Sequence, residues 1–292
     1  MFAIVGAAGK VGHATSLALI EAGAPVRAVL RNDAKAGPLK AVGCEVALAD
    51  LQDAEALARA LAGARTVQVI LPPRPLADDA VADMHRSIDS LVAALERTRP
   101  ERVLAISDYG AHVEEDIGMP SVFRHFEQRL RGLATDLVLL RSAEHMEGWR
   151  GLLPVAVATG VLPSFHAPVE RAFPTVSAGD VGAIAAELLL RPRHRDGARV
   201  VHAEGPRRHS AADVAEALGQ LLGRTVAARE IPRGERMAAL GRVMSASTAR
   251  LLVGVYDAHR RGGLIDVEPG PAEVRRGSTT LVDALRPVVT PR

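Results

Sequence analysis

Short apolar segments alternate with longer amphipathic segments along the first half of the chain. Apolar runs occur at residues 2–5, 26–30, 45–48, 66–71, 103–106 and 137–140. Between them, apolar positions recur at helical spacing over residues 13–21, 54–61, 79–97 and 121–130. Strands separated by helices in this way indicate a parallel sheet covered on both faces. The pattern therefore predicts an α/β fold with a Rossmann-type, doubly wound parallel sheet.

A glycine-rich turn separates the first predicted strand from the first predicted helix. Glycines at positions 6, 9 and 12 permit a sharp exit from the strand, close approach of a pyrophosphate and tight helix packing. The helix start then offers free N–H groups and a positive dipole end to phosphates. A purely structural turn is the alternative, but the position between strand and helix favours cofactor binding. The predicted contacts are Gly6, Ala7, Gly9, Lys10, Val11 and Gly12.

The second predicted strand ends in a basic residue, Arg31, where NAD-binding proteins usually carry an acid. A guanidinium at this position suits the 2′-phosphate of NADP(H), which it can bind through charge-assisted hydrogen bonds. Lys10 and Lys35 add to the positive field. The sequence therefore predicts NADP(H), with NAD(H) less favoured. An exposed arginine that only ends the strand is the alternative.

Other cofactor contacts are predicted at the ends of the third and fourth strands. Asp50 and Leu51 follow the third strand, where such folds bind the adenine, although Asp50 could instead cap the helix that begins near Asp53. Leu71 begins a proline-rich loop after the fourth strand, and loops at strand ends commonly carry specificity. We therefore add these three residues, Asp50, Leu51 and Leu71, to the predicted cofactor site.

Beyond residue 150 the alternation is less regular, because Gly and Pro residues interrupt short apolar pieces. A strand at 172–176, a helix at 180–190 that rejoins the main fold, and a further strand at 199–202 are predicted. The NAD(P)-binding domain is therefore predicted to comprise residues 1–152, completed by 172–203. A smaller C-terminal α/β substrate lobe is predicted from the remaining residues, 153–171 and 204–292.

A capped helix is predicted within that lobe. Ser210 precedes the apolar run 214–222, and Asp213 follows Ser210 by three positions, which is the spacing of a capping box. Gly223 comes directly after the run, as a glycine at a helix C-terminus does. The sequence therefore defines both ends of this helix.

Composition excludes several classes of function. Aromatic residues make up only 3% of the chain, the net charge is +2 and the arginines are scattered, so a nucleic-acid partner is not predicted. No apolar run approaches the roughly 20 residues of a membrane span. The single cysteine, Cys44, cannot form an internal disulfide, which favours a reducing compartment and a cytoplasmic location.

Together these motifs resemble the NmrA-like group of atypical short-chain dehydrogenases. The resemblance rests on the glycine turn, Val29-Leu-Arg31-Asn, Leu48-Ala-Asp50-Leu-Gln-Asp53 and the segment 103–110, and it extends through 174–185, 217–224 and 277–281. It therefore spans nearly the whole chain. The group includes NAD(P)H-dependent quinone and azo-type reductases, aromatic ether reductases and regulators that sense the cofactor without turnover. Fold transfers across such a resemblance better than activity does.

The chain lacks the Tyr-x-x-x-Lys pair with which ordinary short-chain dehydrogenases exchange the substrate proton. Its tyrosines are Tyr109 and Tyr256, and four residues later stand Val113 and Arg260. No lysine lies beyond Lys40. The lysine that the ether reductases of the group place in the helix before the sixth strand is missing as well. A ketone dehydrogenase or an epimerase is therefore disfavoured.

Three residues remain as candidates for chemistry. Ser107 ends the fifth strand beside the expected nicotinamide position, Tyr109 follows it, and His125 lies on the next helix. Each also has a structural interpretation: Ser107 could satisfy backbone, Tyr109 could line the pocket, and His125 could be packed or on the surface. We interpret Arg141 and Glu127 as a structural ion pair.

Neither a metal site nor a hydrolase triad is predicted. Three histidines, His194, His202 and His209, lack the close spacing and acidic companions of a zinc site. Met146 and Trp149 follow the sixth strand and could form an apolar wall for a flat aromatic substrate, or could equally pack in the core of the small lobe.

The favoured hypothesis is an NADPH-dependent oxidoreductase of the quinone-reductase-like branch, which transfers hydride directly to an electron-poor aromatic or quinone-like acceptor. A quinone takes up hydride as a delocalised anion, so it needs a protein acid less than a ketone does. The alternative is a non-catalytic regulator that senses NADP(H) and acts on a protein partner. A homodimer is compatible with either.

Overall fold

The computed structural model describes residues 1–192 and 197–289. Its strands are β1 (Phe2–Val5), β2 (Val26–Leu30), β3 (Glu45–Leu48), β4 (Thr66–Ile70), β5 (Arg102–Asp108), β6 (Asp136–Ser142), β7 (Glu144–His145), β8 (Val161–Ser164), β9 (Thr175–Val176), β10 (Arg199–Glu204), β11 (Ala227–Glu230) and β12 (Glu273–Arg276). Its α-helices are α1 (Lys10–Glu21), α2 (Ala36–Ala41), α3 (Ala54–Leu61), α4 (Ala80–Thr98), α5 (Met119–Arg131), α6 (Leu153–Thr159), α7 (Ala178–Leu190), α8 (Ala211–Leu222), α9 (Arg233–Leu240), α10 (Ala246–Arg261) and α11 (Leu281–Val289).

The central sheet of the described residues has eight strands in the order β12-β10-β6-β5-β4-β1-β2-β3. Every neighbouring pair is parallel. Phe2 of β1 pairs with Val26 of β2 on one side and with Thr66 of β4 on the other. The chain changes direction across the sheet at β1, which opens a crevice at the carboxyl ends of β1 and β4. The predicted Rossmann-type fold is confirmed.

Helices cover both faces of this sheet, because its strands are apolar on both sides. On one face α1 and α7 pack against residues such as Leu104 and Val138, and on the other α3, α4 and α5 pack against residues such as Val67. Gly182 lets α7 approach α1 closely, since a Cβ at this position would lie 2.5 Å from the Cβ of Ala14. The two helix layers fix the sheet, and with it the strand ends that form the crevice.

A smaller layer of structure lies beyond the carboxyl ends of the strands. It contains two short parallel pairs, β8 with β11 and β7 with β9, and a separate apolar cluster that includes Met146, Leu162 and Leu218. The predicted helix cap is confirmed, because Ser210 and Asp213 form a capping box at the start of α8 and Gly223 ends it in the left-handed conformation.

The domain division differs from the prediction at β12. The prediction assigned all of residues 204–292 to the small lobe, but β12 pairs in parallel with β10 and forms the edge of the central sheet. The sequence Glu273-Val-Arg-Arg276 is too polar to resemble a buried strand, and an edge strand exposes such residues. Among the described helices, none is both long and apolar enough to cross a membrane.

Candidate cofactor site and cleft

The glycine turn has the geometry of a phosphate cradle. Gly6 adopts a φ of +76°, and a Cβ there would lie 2.4 Å from a methyl carbon of Ile70. A Cβ on Gly12 would lie 2.5 Å from the carbonyl oxygen of Gly6. Gly9 is the N-cap of α1 and has no side chain to cover the first N–H groups of the helix. The turn therefore needs glycine at these positions, and it leaves donors free for the phosphates of a dinucleotide.

Basic side chains surround the edge of this cradle. Lys10, Arg31 and Lys35 are exposed, and within the described part of the chain no ion pair or hydrogen bond engages the guanidinium of Arg31 or the ammonium of Lys35. Asn32 caps the short turn that carries Lys35, since its side chain accepts a hydrogen bond from the N–H of Ala34. These positions fit the predicted binding of a 2′-phosphate, and their roles stay predictions.

The residues after β3 are held by the loop that follows β4. Asp50 accepts hydrogen bonds from the backbone N–H of Gln52 at 2.9 Å and from Arg74 at 2.7 Å. The proposed alternative for Asp50, capping of α3, is wrong, because Asp53 is the N-cap and binds the N–H of Ala56. Leu51 is half-buried nearby.

Leu71 is almost fully buried in the core beneath α4, so its side chain cannot contact a cofactor. Only its backbone remains available at the end of β4. The contact of Leu71 with the cofactor stays a prediction, and it falls to this backbone.

Ser107 belongs to a buried polar cluster under the end of the sheet. Its hydroxyl donates to Glu127 at 2.6 Å, and the guanidinium of Arg141 binds the same carboxylate through bonds of 2.9 and 2.8 Å. The predicted ion pair is present, and all three residues are buried. The catalytic assignment of Ser107 needs correction, because its hydroxyl is committed to a carboxylate inside the protein.

Tyr109 also lies inside the protein. Its side chain is fully buried, its hydroxyl donates to Glu204 at 3.2 Å, and its ring packs edge-on against His202. Burial and the charge of Glu204 raise the pKa of the phenol. The Tyr109 hydroxyl is therefore enclosed in the protein and engaged with Glu204, which corrects its assignment as a catalytic residue.

The remaining predicted side chains take different positions. His125 on α5 packs against His85 on α4, with ring centres 4.2 Å apart, and burial together with the charge of His85 lowers its pKa. Met146 is fully buried in the core of the small lobe and does not form an exposed wall, because its neighbours there are apolar. Trp149 is nearly buried, with its ring beside that of His166.

A second group of polar side chains lies at the carboxyl ends of β5 and β6, and the sequence did not indicate it. Glu144 lies on β7, His166 follows β8, and His259 lies near the end of α10. His166 Nε2 is 3.1 Å from the Glu144 carboxylate, and His259 Nε2 is 3.8 Å from it. These residues are far apart in the sequence and share no motif, so no local signal predicts that they meet.

Aromatic rings enclose this group. Phe173 stacks on His166 with ring centres 3.9 Å apart, and Tyr256 packs edge-on against the same imidazole. A cavity of about 70 Å³ adjoins the histidines, and its lining also includes Arg171, Arg208 and Asp266. The cavity is small, and charged side chains line it beside the Phe173 ring.

Burial alters the pKa values of the acids and bases in this cleft. At the end of β5, burial and the charge of Glu144 raise the pKa of Asp108 to about 7. Burial and the charge of His166 lower the pKa of His259 to about 3, so its imidazole is uncharged at neutral pH. Burial by itself would raise the pKa of Glu144, but the neighbouring imidazoles have the larger effect and lower that pKa.

The N-terminal half of the chain also matches a known family. Residues 6–143, which begin at the first glycine of the turn, match a family described as NAD(P)H-binding. Residues 6–143 are an NAD(P)H-binding domain. An NAD(P)H azoreductase of Xenophilus azovorans is 27% identical to the chain over 227 residues, which are 77% of this chain and 75% of the relative.

Solved structures extend the similarity to the whole fold. A triphenylmethane reductase of Citrobacter sp. in complex with NADP(H) superposes with a TM-score of 0.81 at 19% identity, over 99% of this chain and 100% of the other. An NADPH-dependent quinone oxidoreductase of Escherichia coli superposes with a TM-score of 0.77 at 24% identity, over 91% of each chain. The predicted resemblance to atypical short-chain reductases is confirmed for the cofactor-binding half and for the fold.

Two of the histidines considered for a zinc site have other partners: His202 packs against Tyr109, and His209 Nδ1 lies 2.7 Å from the Thr175 hydroxyl. His194 lies outside the described residues. The three proposed catalytic residues bind different partners: Ser107 donates to Glu127, Tyr109 donates to Glu204, and His125 packs against His85.

Proposed function

We propose that this protein is an NADPH-dependent reductase of an electron-poor aromatic acceptor, such as a quinone or an azo dye. The observation that carries the proposal is the glycine cradle at the carboxyl end of β1, beside the point where the strand order reverses between β1 and β4. In doubly wound sheets the cofactor crosses this edge, and the nicotinamide lies on the β5 side of the switch point.

Different residues along the crevice bind different parts of the cofactor. The glycine turn and the start of α1 bind the pyrophosphate, while Arg31 and the two exposed lysines beside it bind the 2′-phosphate. When bound, NADPH supplies a hydride from its nicotinamide ring. Phe173 lines the small cavity beside His166 and His259, and the acceptor is expected to approach the nicotinamide from this side.

The hydroxyls of Ser107 and Tyr109 at the end of β5 bind carboxylates, and this class of acceptor does not need them. Hydride addition to a quinone gives a delocalised hydroquinone anion, which takes its proton from solvent without a dedicated protein acid. The relatives support the choice of acceptor: one is named an azoreductase, and solved neighbours are a quinone oxidoreductase and a dye reductase.

A turnover assay tests the proposal. NADPH oxidation by the purified chain is measured with benzoquinones, naphthoquinones and azo dyes, and saturable turnover with at least one acceptor is expected. NADPH deuterated at each face of C4 in turn should show a primary isotope effect from one face only, which identifies direct hydride transfer.

The commitment of Ser107 and Tyr109 to buried carboxylates favours a second candidate, the cofactor-sensing regulator. Tight NADPH binding without turnover across the whole acceptor panel would support it and would overturn the reductase. Gly12→Val, which places a side chain against the carbonyl of Gly6, is the control that abolishes cofactor binding in either case.

A further inference from the structure

Three side chains of the cleft direct possible metal-ligand atoms to one point. The Glu144 carboxylate and one ring nitrogen from each of His166 and His259 all lie within 4.8 Å of one another. Each comes from a different element, and both imidazoles are buried. Their positions are therefore set by the packing of β7, the segment after β8 and α10, and not by a flexible loop.

Hydrogen bonding within the group accounts for only part of this arrangement. His166 Nε2 is at hydrogen-bond distance from Glu144, at 3.1 Å, but His259 Nε2 is 3.8 Å away, beyond that range. Within the described part of the chain, the buried Nδ1 atom of His166 has no hydrogen-bond partner. Both imidazoles therefore approach the Glu144 carboxylate, but only that of His166 is at hydrogen-bond distance from it.

We propose that Glu144, His166 and His259 bind one divalent transition-metal ion of the Zn²⁺ class. Two imidazoles and one carboxylate are the ligand set of open zinc sites, which keep a further position for water or substrate. Zinc–ligand distances are about 2.0–2.2 Å, so donor atoms already within 4.8 Å need only small side-chain rotations to meet an ion. Imidazole ligands disfavour Mg²⁺ and Ca²⁺, which prefer oxygen.

The surroundings match such a site. The rings of Trp149, Phe173 and Tyr256 form an apolar shell around the imidazoles, and such a shell limits access of solvent to a metal. Glu144 remains partly exposed, and the two histidines also line the adjoining cavity. The free coordination position therefore opens into the cleft, where an oxygen ligand such as water or a carbonyl would occupy it.

Titration of the full chain with Co²⁺, after removal of adventitious metal by a chelator, tests the proposal independently of any reductase activity. We expect one Co²⁺ per chain with the intense visible bands of a four-coordinate N/O site, displaced by Zn²⁺ in calorimetry. Mutation of a residue that supports a metal ligand typically lowers metal affinity by about 10–100-fold, so removal of a ligand itself should weaken Co²⁺ binding at least as much. His166→Ala, His259→Ala and Glu144→Ala should each show this effect.

The double variant His85→Ala with His125→Ala is the matched control. It removes the other close pair of imidazoles, which lies on α4 and α5, and should leave Co²⁺ binding unchanged. His259→Gln, which retains most of the side-chain volume, replaces the alanine variant if the latter does not fold. Absence of stoichiometric Co²⁺ binding to the wild-type chain, or binding that only the control variant removes, would overturn the proposal. Neither result bears on hydride transfer, which the acceptor assay measures separately.

Discussion

Ser107 at the end of β5 donates its hydroxyl to Glu127 of α5 at a distance of 2.6 Å. Glu127 also receives two bonds from Arg141 of β6, so the three residues tie α5 to adjacent strands beneath the cleft. All three residues are buried, so their charges are balanced by neighbouring side chains and not by water. The cluster therefore stabilises the fold, and the Ser107 hydroxyl is closed off from a ligand.

Replacing Glu127 with Gln should lower the free energy of unfolding by about 3 kcal/mol, because it breaks a buried ion pair and leaves the buried guanidinium of Arg141 to its partly exposed partner Glu268. Urea denaturation at neutral pH measures the change. Glu268→Gln is the control, since Glu268 binds the same arginine but is 43% exposed. An exposed partner of this kind should contribute no more than about 1 kcal/mol. Equal losses in both variants would contradict the buried role.

Removing the hydroxyl groups of Ser107 and Tyr109 should leave turnover nearly intact. A general acid or base contributes about 10²–10⁴-fold to a rate, so a loss of less than about tenfold in kcat for Ser107→Ala and Tyr109→Phe indicates no direct role. Steady-state kinetics with the best acceptor gives the answer. A loss of a hundredfold at unchanged stability would restore either residue as catalytic.

Arg31→Ala should weaken NADPH binding and leave NADH binding unchanged. A hydrogen bond to a charged group contributes about 1.5–3 kcal/mol, which corresponds to roughly a 10–150-fold rise in Kd. Calorimetric titration with the two cofactors measures this directly, and NADH serves as the internal control. If both cofactors lose affinity equally, Arg31 does not bind the 2′-phosphate.

Gly12→Ala should abolish binding of both cofactors, because the new Cβ would lie 2.5 Å from the carbonyl oxygen of Gly6 and would displace the turn. Gly37→Ala on α2 is the matched control, since no atom lies within 4 Å of its added Cβ. The control should bind normally and gain slight stability from the better helix former. Normal NADPH binding by Gly12→Ala would show that the turn does not hold the pyrophosphate.

Asp213 should make the protein sensitive to acid. Burial opposes its charge, but hydrogen bonds from Ser210 and the nearby Arg207 outweigh it and lower the pKa of Asp213. A lowered pKa stabilises the fold above the unfolded-state value of about 3.9, and this contribution disappears as the pH falls through the folded-state value. Asp213→Asn should therefore be less stable than wild type by about 1 kcal/mol at pH 7. The difference in melting temperature should vanish near pH 2, and a constant difference across the range would contradict the linkage.

The sequence by itself determined the fold and the cofactor crevice. Strand and helix periodicity follow from local burial, and the glycine turn and the helix cap at Ser210 depend on residues within a few positions of one another. Gly6, Gly12 and Arg31 therefore lie where their positions in the chain predicted. β12 was missed because its polar residues suit an exposed edge and leave no apolar run.

Only the tertiary structure decided which polar side chains are available for chemistry. Ser107 and Tyr109 lie at the expected strand end, but long-range contacts with Glu127 and Glu204 bury their hydroxyls. Conversely, His166 and His259 carry no sequence signal, yet the packing of α10 and the segment after β8 brings both to Glu144. Secondary structure depends mainly on residues that are close in the sequence, whereas the environment of a side chain depends on segments that meet only after folding.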